Sequence, residues 1–287
     1  MKTEERMAII TRISETLIRA ASVFPDDKYS CYNKAVSNEG NDLSAWAMRT
    51  IVLNADIARK KQSPLCDDTG IPHIIIEAGR NRTVSGEFLQ AVYDGIAEGL
   101  RKLPGRPMAI KGSDGERISQ SGGLDERPEA VAPAPVLMQL SEEDNRLQVT
   151  ILLQGGGPEI RAKTYRVFHR HSTQVVLDEI IKWAKSSVAE LGCSPCTIAI
   201  GIGRSHFEAT AMMLQAMKEG RYDIQSEYEK QITNSVNEIG IGAVGLGGQH
   251  SVLATFMKVG PQRASGVRIV CMRPCCCFEP RIASVEF

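Results

Sequence analysis

Three groups of cysteines carry the chemistry that this sequence could perform. The first lies in Ser63-Pro64-Leu65-Cys66-Asp67-Asp68-Thr69-Gly70, where a thiol stands beside two carboxylates, a hydroxyl and a glycine. The second is Cys193-Ser194-Pro195-Cys196, and the third is the crowded run Cys271…Cys275-Cys276-Cys277. Thiolates are soft ligands, and three of them suit an iron–sulfur cluster of the 4Fe–4S type with one iron left without protein sulfur. That iron is an open Lewis acid. Zinc held by Cys193, Cys196 and two of the later cysteines is a competing reading, but it leaves Cys66 without a role. Inert buried thiols are a third, and Asp-Asp-Thr-Gly alone is ordinary turn chemistry.

Other motifs carry less. Gly155-Gly156-Gly157 has no side chains, so a ligand can approach its backbone closely; a tight turn is the plainer reading. Gly240-x-Gly242-x-x-Gly245 formally fits a dinucleotide fingerprint, but it follows a helical pattern and precedes a strand, the reverse of the required context. Gly201-x-Gly203 ends a strand pattern but lacks a third glycine. Among five histidines, His250 is the one best placed for acid–base work, while His73 and His206 fall at element ends near cysteines. A structural role is the simpler reading for each. Arg161 and Lys163 could neutralise substrate carboxylates, or be exposed charge.

The elements that must position these residues follow from periodicity. Ile9, Ile10, Ile13, Leu17 and Ala21 predict a helix over 4–22 that ends at Phe24-Pro25-Asp26-Asp27. A second helix over 43–61, with Asp42 as N-cap, delivers the chain to Cys66. Pro72–Glu77 reads as a buried strand, and Ser85 caps a helix carrying Phe88, Val92, Ile96 and Leu100. Residues 103–133 form a long loop rich in Gly, Pro, Ser and charge, of the kind that binds or covers a site. Strands are expected at 134–140 and 146–153 about the turn 141–145, at 197–203, at 251–259 and at 267–271. Helices are expected from Thr173 and over 207–218 and 224–239. Without strict βαβ alternation, the fold class is α+β, with mixed or antiparallel sheets packed with helices in one large catalytic domain over 1–287.

Composition narrows the function. Hydrophobic residues make up 43% of 287, enough for a sizeable core. Lysine plus arginine and aspartate plus glutamate balance at 34 each, giving no electrostatic case for nucleic acid or an anionic membrane. No apolar run is long enough to span a bilayer, and the acidic start Met1–Arg6 is not that of a signal peptide. A cytoplasmic, reducing setting is therefore expected, where cysteines serve as ligands or catalysts more than as disulfides.

Taken together, these residues resemble the class I iron–sulfur fumarase and L(+)-tartrate dehydratase family, and specifically its alpha subunit, equivalent to the N-terminal domain of single-chain members. Ala55-Asp56-Ile57-Ala58-Arg59-Lys60…Cys66-Asp67-Asp68-Thr69-Gly70 is similar to the family's helix and Cys-Gln-Asp-Thr-Gly motif. Gly155-Gly156-Gly157 resembles its triple glycine, Cys193-Ser194-Pro195 its Cys-Pro-Pro, and Gly240-Ile241-Gly242 with Gly247-Gly248 its approach to the last ligand. The resemblance implies a 4Fe–4S cluster held by Cys66, Cys193 and Cys277, since Cys277-Phe278-Glu279-Pro280-Arg281 fits a Cys-x-x-x-Arg phrase; Cys275 and Cys276 are alternatives. It implies Asp68 as the catalytic group and Asp67, Thr69, Gly156 and Gly157 as substrate contacts. It also implies reversible dehydration of a small 2-hydroxy di- or tricarboxylic acid of the malate, tartrate or mesaconate type, and a beta-subunit partner in an alpha2beta2 assembly.

Three departures bear on that reading. Asp67 replaces the family's Gln, and an unpaired carboxylate there would repel a second one. Gln262 or Arg263 stands where members carry a histidine, so the usual proton donor is missing. The 113–133 stretch also lacks the family's Asn-Thr-Gly phrases. All three lie where substrate would sit, so a substrate other than fumarate or tartrate is expected; the absent histidine favours the alternative, a non-catalytic metal-binding or assembly protein on the same fold.

Overall fold

The computed structural model describes all residues 1–287. Nine helices and eight strands follow one another: α1 (Thr3–Ser22), α2 (Asp26–Asn38), α3 (Asp42–Lys61), β1 (Ile71–Ala78), α4 (Gly86–Lys102), α5 (Asp114–Ser119), β2 (Leu137–Leu140), β3 (Leu147–Gln154), α6 (Gly156–Glu159), β4 (Lys163–Phe168), α7 (Thr173–Ala189), β5 (Cys196–Gly203), α8 (His206–Glu219), α9 (Glu227–Asn237), β6 (Val252–Val259), β7 (Val267–Cys275) and β8 (Arg281–Glu286). They form two mixed four-stranded sheets packed with helices, the expected α+β class. No helix is long and apolar enough to cross a membrane.

The elements group into two compact units. The first holds residues 1–23, 55–155 and 281–287. Its sheet runs β2-β1-β3-β8, with β1 parallel to β2 and antiparallel to β3, and β3 antiparallel to β8. Ile9, Ile13 and Leu17 of α1 and Val92, Ile96 and Leu100 of α4 bury against Ile74, Ile76, Val149, Ile151 and Leu153. The period of 3.6 on the helices and of 2 on the strands therefore meets in one core. Ser85 caps α4 by accepting the Phe88 N–H at 3.1 Å, as its position predicts.

The second unit holds residues 24–54 and 156–280, with sheet order β4-β7-β5-β6. Only β5 and β6 are parallel. Ile198, Ile200 and Ile202 of β5 share a core with Val176, Leu177, Ile180 and Ala184 of α7 and Ile232 and Val236 of α9. The intervening residues face α8. A Cβ on Gly201 would stand 2.0 Å from the Ala209 carbonyl oxygen, so this glycine serves helix-on-strand packing.

Four features differ from the sequence expectation. Helix α1 ends at Ser22 as expected, but an unexpected helix, α2, follows Pro25 directly, so the segment that ends one helix also starts the next. β4 and β8 are additional strands. β2 and β3 are not hairpin partners, because β1 lies between them in the sheet. The 103–133 loop also contains the short helix α5 and a 3-10 turn at Pro128–Val131.

Candidate active site

In the first unit, the Cys66 segment leaves α3 and turns into β1. Leu65 anchors it, buried and donating its N–H to the Ala21 carbonyl at 2.9 Å. Cys66 is half-buried, with its thiol 3.5 Å from Asp67 Oδ1. Asp67 lies 3.6 Å from Arg106 Nη1, and both side chains are largely exposed. The carboxylate at the position of the family's Gln therefore has a cation beside it.

Asp68 Oδ1 accepts the Gly70 N–H at 3.2 Å, a local turn bond. Its backbone carbonyl accepts Arg281 Nη1 at 2.5 Å. Thr69 is buried and donates its hydroxyl to the Arg106 carbonyl at 3.1 Å. Gly70 has φ +79°, and a Cβ there would stand 2.5 Å from Arg281 Nη2 and 3.0 Å from the Gln154 carbonyl carbon. Only glycine meets both conditions. Arg281, 2% exposed, thus lies under the motif as its backbone clamp. Sequence reasoning quoted Arg281 in the Cys-x-x-x-Arg phrase but gave it no task, and it missed Arg106 inside the long loop.

In the second unit, the antiparallel pairing of β5 with β7 sets Thr197 opposite Cys275, so the segment before β5 meets the segment after β7. Cys277 donates its N–H to the Cys193 carbonyl at 2.8 Å. A hydrogen bond with Cys276, then burial, then the Cys276 and Cys193 sulfurs push the Cys277 thiol well above its usual range. Cys193 is exposed, Cys276 half-buried and Cys277 buried. Cys275 differs: its sulfur lies 3.7 Å from Arg273 Nη1, inside the sheet, and burial pushes it up to about 12. Cys196 and Cys271 are buried strand residues. Within neither unit do three or more His, Cys, Asp or Glu side chains stand as a ready metal site. In donor type, the clustered thiols of Cys193, Cys276 and Cys277 fit a soft, iron–sulfur-type group.

The loop bearing Cys277 is held from below. Tyr32 donates its hydroxyl to the Cys277 carbonyl at 2.7 Å, and Lys28 Nζ donates to the Glu279 carbonyl at 2.7 Å. Lys28 is fully buried and sits 4.4 Å from the Phe24 ring centroid. Burial lowers it to about 8, against the opposing pull of Cys276 and Cys277. Glu279 and Arg273 form a salt bridge with both side chains excluded from water, and Arg273 Nε reaches Glu159 Oε2 at 3.2 Å. Glu159 closes α6, the turn that Gly156 and Gly157 open. A Cβ on Gly157 would meet no atom within 4 Å, so its backbone faces open space.

The glycine run 240–248 backs the Cys193 segment. Ser194 Oγ donates to the Gly242 carbonyl at 2.6 Å, and the Val244 N–H donates to the Ser194 carbonyl at 2.9 Å. His250 Nδ1 lies 2.9 Å from Glu39 Oε2, which also accepts the Gln249 and His250 N–H groups. Burial pushes Glu39 up, but these hydrogen bonds hold it below the ordinary carboxylate range. His250 thus fastens a loop, the structural role. Gln262 directs its amide to the Ile202 and Gly260 carbonyls. Arg161 Nε donates to the Glu190 carbonyl, and Lys163 Nζ lies 5.1 Å from the Trp183 ring centroid.

Comparison with known proteins follows the same residues. The profile of the family described as Fumarate hydratase (Fumerase) matches residues 10–286. A Methanocaldococcus jannaschii protein provisionally named L(+)-tartrate dehydratase subunit alpha is 25% identical over 265 residues, 88% of this chain and 89% of that protein. The L(+)-tartrate dehydratase subunit alpha of Escherichia coli K12 is 19% identical over 285 residues, 96% of this chain and 91% of its own length. A Geobacillus stearothermophilus protein provisionally named fumarate hydratase class I is 24% identical over 263 residues, and the match spans 48% of that longer chain.

Proposed function

This chain belongs to the fumarate hydratase family, and from that premise we propose that it is the alpha subunit of a two-chain iron–sulfur hydro-lyase. It is a hydro-lyase of the fumarate hydratase and tartrate dehydratase kind. The substrate in this reading is a small 2-hydroxy di- or tricarboxylic acid, from which water is reversibly removed. The observation that carries the reading is the extent of the family match, which runs from residue 10 to 286 and takes in all three cysteine groups.

Cys66, Cys193 and Cys277 are the proposed cluster ligands, with Cys276 the stronger alternative to Cys277 because Cys275 lies within the sheet. When bound, the cluster supplies an open Lewis-acid iron. The other tasks fall to this chain's own residues. Asp68 handles or orients a proton at the carbon beside a substrate carboxylate, and the Arg281 clamp on its carbonyl holds its backbone for that purpose. Asp67 and Thr69 contact substrate from the same turn. Arg106 adds positive charge where a dianion must be attracted. The backbone at Gly156 and Gly157 lets substrate approach closely.

The 103–133 segment acts as the active-site loop, supported by the contacts of Arg106 with Asp67 and Thr69. Residues 1–287 work as one alpha-subunit catalytic domain. A beta subunit supplies the remaining carboxylate-binding and proton-transfer groups in an alpha2beta2 assembly, in keeping with the alpha-subunit names of the relatives and the half-length match to the longer one. The setting is the reducing cytoplasm, in keeping with eight cysteines that form no disulfide.

The test is anaerobic reconstitution of the chain with its beta subunit, iron and sulfide. The pair should hydrate or dehydrate at least one of malate, tartrate, citramalate or their unsaturated products, and the chain alone should not. Substrate should shift the electron resonance spectrum of the reduced cluster. No turnover across the panel and no spectral shift overturn the reading.

A further inference from the structure

We infer that Lys28 is a positioning residue that supplies the counter-charge for the cluster: a buried ammonium under the loop that carries Cys276 and Cys277, with no carboxylate of its own, matched by the anionic sulfur beside it. The inference rests on the hydro-lyase reading and deepens it, giving a task to a residue outside the proposed ligands and substrate contacts. Lys28 and Tyr32 stand four positions apart on α2, so they share one face of that helix. Both are fully buried, and both donate to the same loop: Nζ to the Glu279 carbonyl and the Tyr32 hydroxyl to the Cys277 carbonyl, each at 2.7 Å.

The other neighbours of the ammonium are the ring of Phe24, with its centroid at 4.4 Å, and that of Tyr222 at 5.9 Å. A carbonyl and two ring faces attract a cation, but none carries the full negative charge that a buried ammonium requires. The acids nearby are already engaged. The Glu279 carboxylate pairs with Arg273. Asp27 accepts the Lys28 and Tyr222 backbone N–H groups and faces Arg221 at 3.5 Å. Glu159 reaches Arg273 and is itself exposed. Two buried cations, Lys28 and Arg273, thus stand against one buried carboxylate, Glu279. A surplus charge of this kind is unfavourable until something negative joins it, and a methionine in the same space would avoid the penalty.

What surrounds the surplus charge is sulfur. Cys276, Cys277 and Cys275 act on Lys28 more strongly than Glu279 does, in that order. Lys28 in turn acts on Cys31 and Cys196. An iron–sulfur group held by thiolates is net anionic, and the charge and burial around it set its reduction potential. A cation shut off from water acts where Coulomb interactions are least screened. Lys28 therefore favours the more negative, reduced state of the cluster and raises its potential.

The test compares variants in the anaerobically reconstituted alpha–beta complex. Lys28→Gln keeps an N–H donor for the Glu279 carbonyl but removes the charge; Lys28→Met removes both. Each should keep the circular dichroism of the wild-type chain. Each should make one-electron reduction of the cluster less favourable by roughly tenfold or more, a fall in midpoint potential of about 59 mV. Iron should also pass to a chelator faster, and a folded Lys28→Gln complex that assembles no cluster supports the inference in the same sense. Tyr32→Phe, which removes only a neutral donor, should shift the potential far less. A Lys28→Gln cluster with the wild-type potential overturns the inference, as does a shift seen with Lys28→Met alone, which would mark a hydrogen-bonding task. Failure of both Lys28 variants to fold overturns it too, by making the residue structural. A wild-type complex that holds no cluster overturns the hydro-lyase reading and this inference with it. A wild-type complex that holds its cluster and turns over, beside a silent Lys28→Gln, overturns this inference alone.

Discussion

Arg281 Nη1 reaches the backbone carbonyl of Asp68 at 2.5 Å across 213 positions of sequence. The same guanidinium fills the space that a side chain at position 70 would need. The aspartate that the motif offers for chemistry is therefore held through its backbone, while its carboxylate accepts the Gly70 N–H.

Replacing Arg281 by methionine should cost about 2–4 kcal/mol of stability, because a partly buried carbonyl loses a charged donor. Turnover of the reconstituted pair should fall by roughly 100-fold from misplacement of Asp68. Chemical denaturation and an assay at saturating substrate check the two effects separately.

Gly70→Ala should destabilise by about 2–4 kcal/mol, through strain at φ +79° and the clash with Arg281 and the Gln154 backbone. Gly157→Ala serves as the control. It adds a methyl to open space and should leave the melting temperature nearly unchanged while raising KM, if substrate approaches there.

Arg273 and Glu279 are both shut off from water, so breaking one side should hurt more than removing both. Arg273→Met alone should cost about 3–5 kcal/mol by stranding a buried carboxylate. Arg273→Met with Glu279→Met should cost clearly less than the sum of the single changes. Denaturation of all four chains closes the cycle.

Thiol reactivity should follow exposure. Cys193 should alkylate fastest in the cluster-free chain. Cys31, pushed up to about 11 by burial, should stay protonated and slow at pH 8, its rate rising as pH approaches 11. Because its folded value lies above its ordinary 9, stability from the protonated thiol is complete below pH 9 and is lost as pH rises through 11. Mass spectrometry of alkylated peptides reads the order. Iron and sulfide content should collapse in Cys66→Ser, Cys193→Ser and Cys277→Ser but not in Cys31→Ser. Retention in Cys277→Ser with loss in Cys276→Ser would move the third ligand by one position.

Much of this was readable from the residues themselves. Periodicity in α1 and α4 and the Ser85 cap place the first core, since both report purely local physics. Helix α2 was hidden because Pro25 and two aspartates punctuate a chain in either direction; what decides is Phe24 stacking on Tyr32 at 5.7 Å, a contact no local pattern displays. β8 was hidden for a similar reason, because its apolar residues pair with β3 across more than a hundred positions. The cysteines that meet in the second unit could be shortlisted by spacing, but Cys275, Cys276 and Cys277 are adjacent in sequence. Only the end of β7 distinguishes the one turned into the sheet from the two beyond it. Arg106 had no signal beyond its place in a long loop.

The last strands have one more effect. β7 is an inner strand of the second sheet, and β8 completes the first sheet beside β3. During synthesis, then, neither half can close until residues 267–286 have left the ribosome. Both must wait as open sheets with vacant edges, and a chain stalled just short of that point would be a ready target for holding chaperones and proteases.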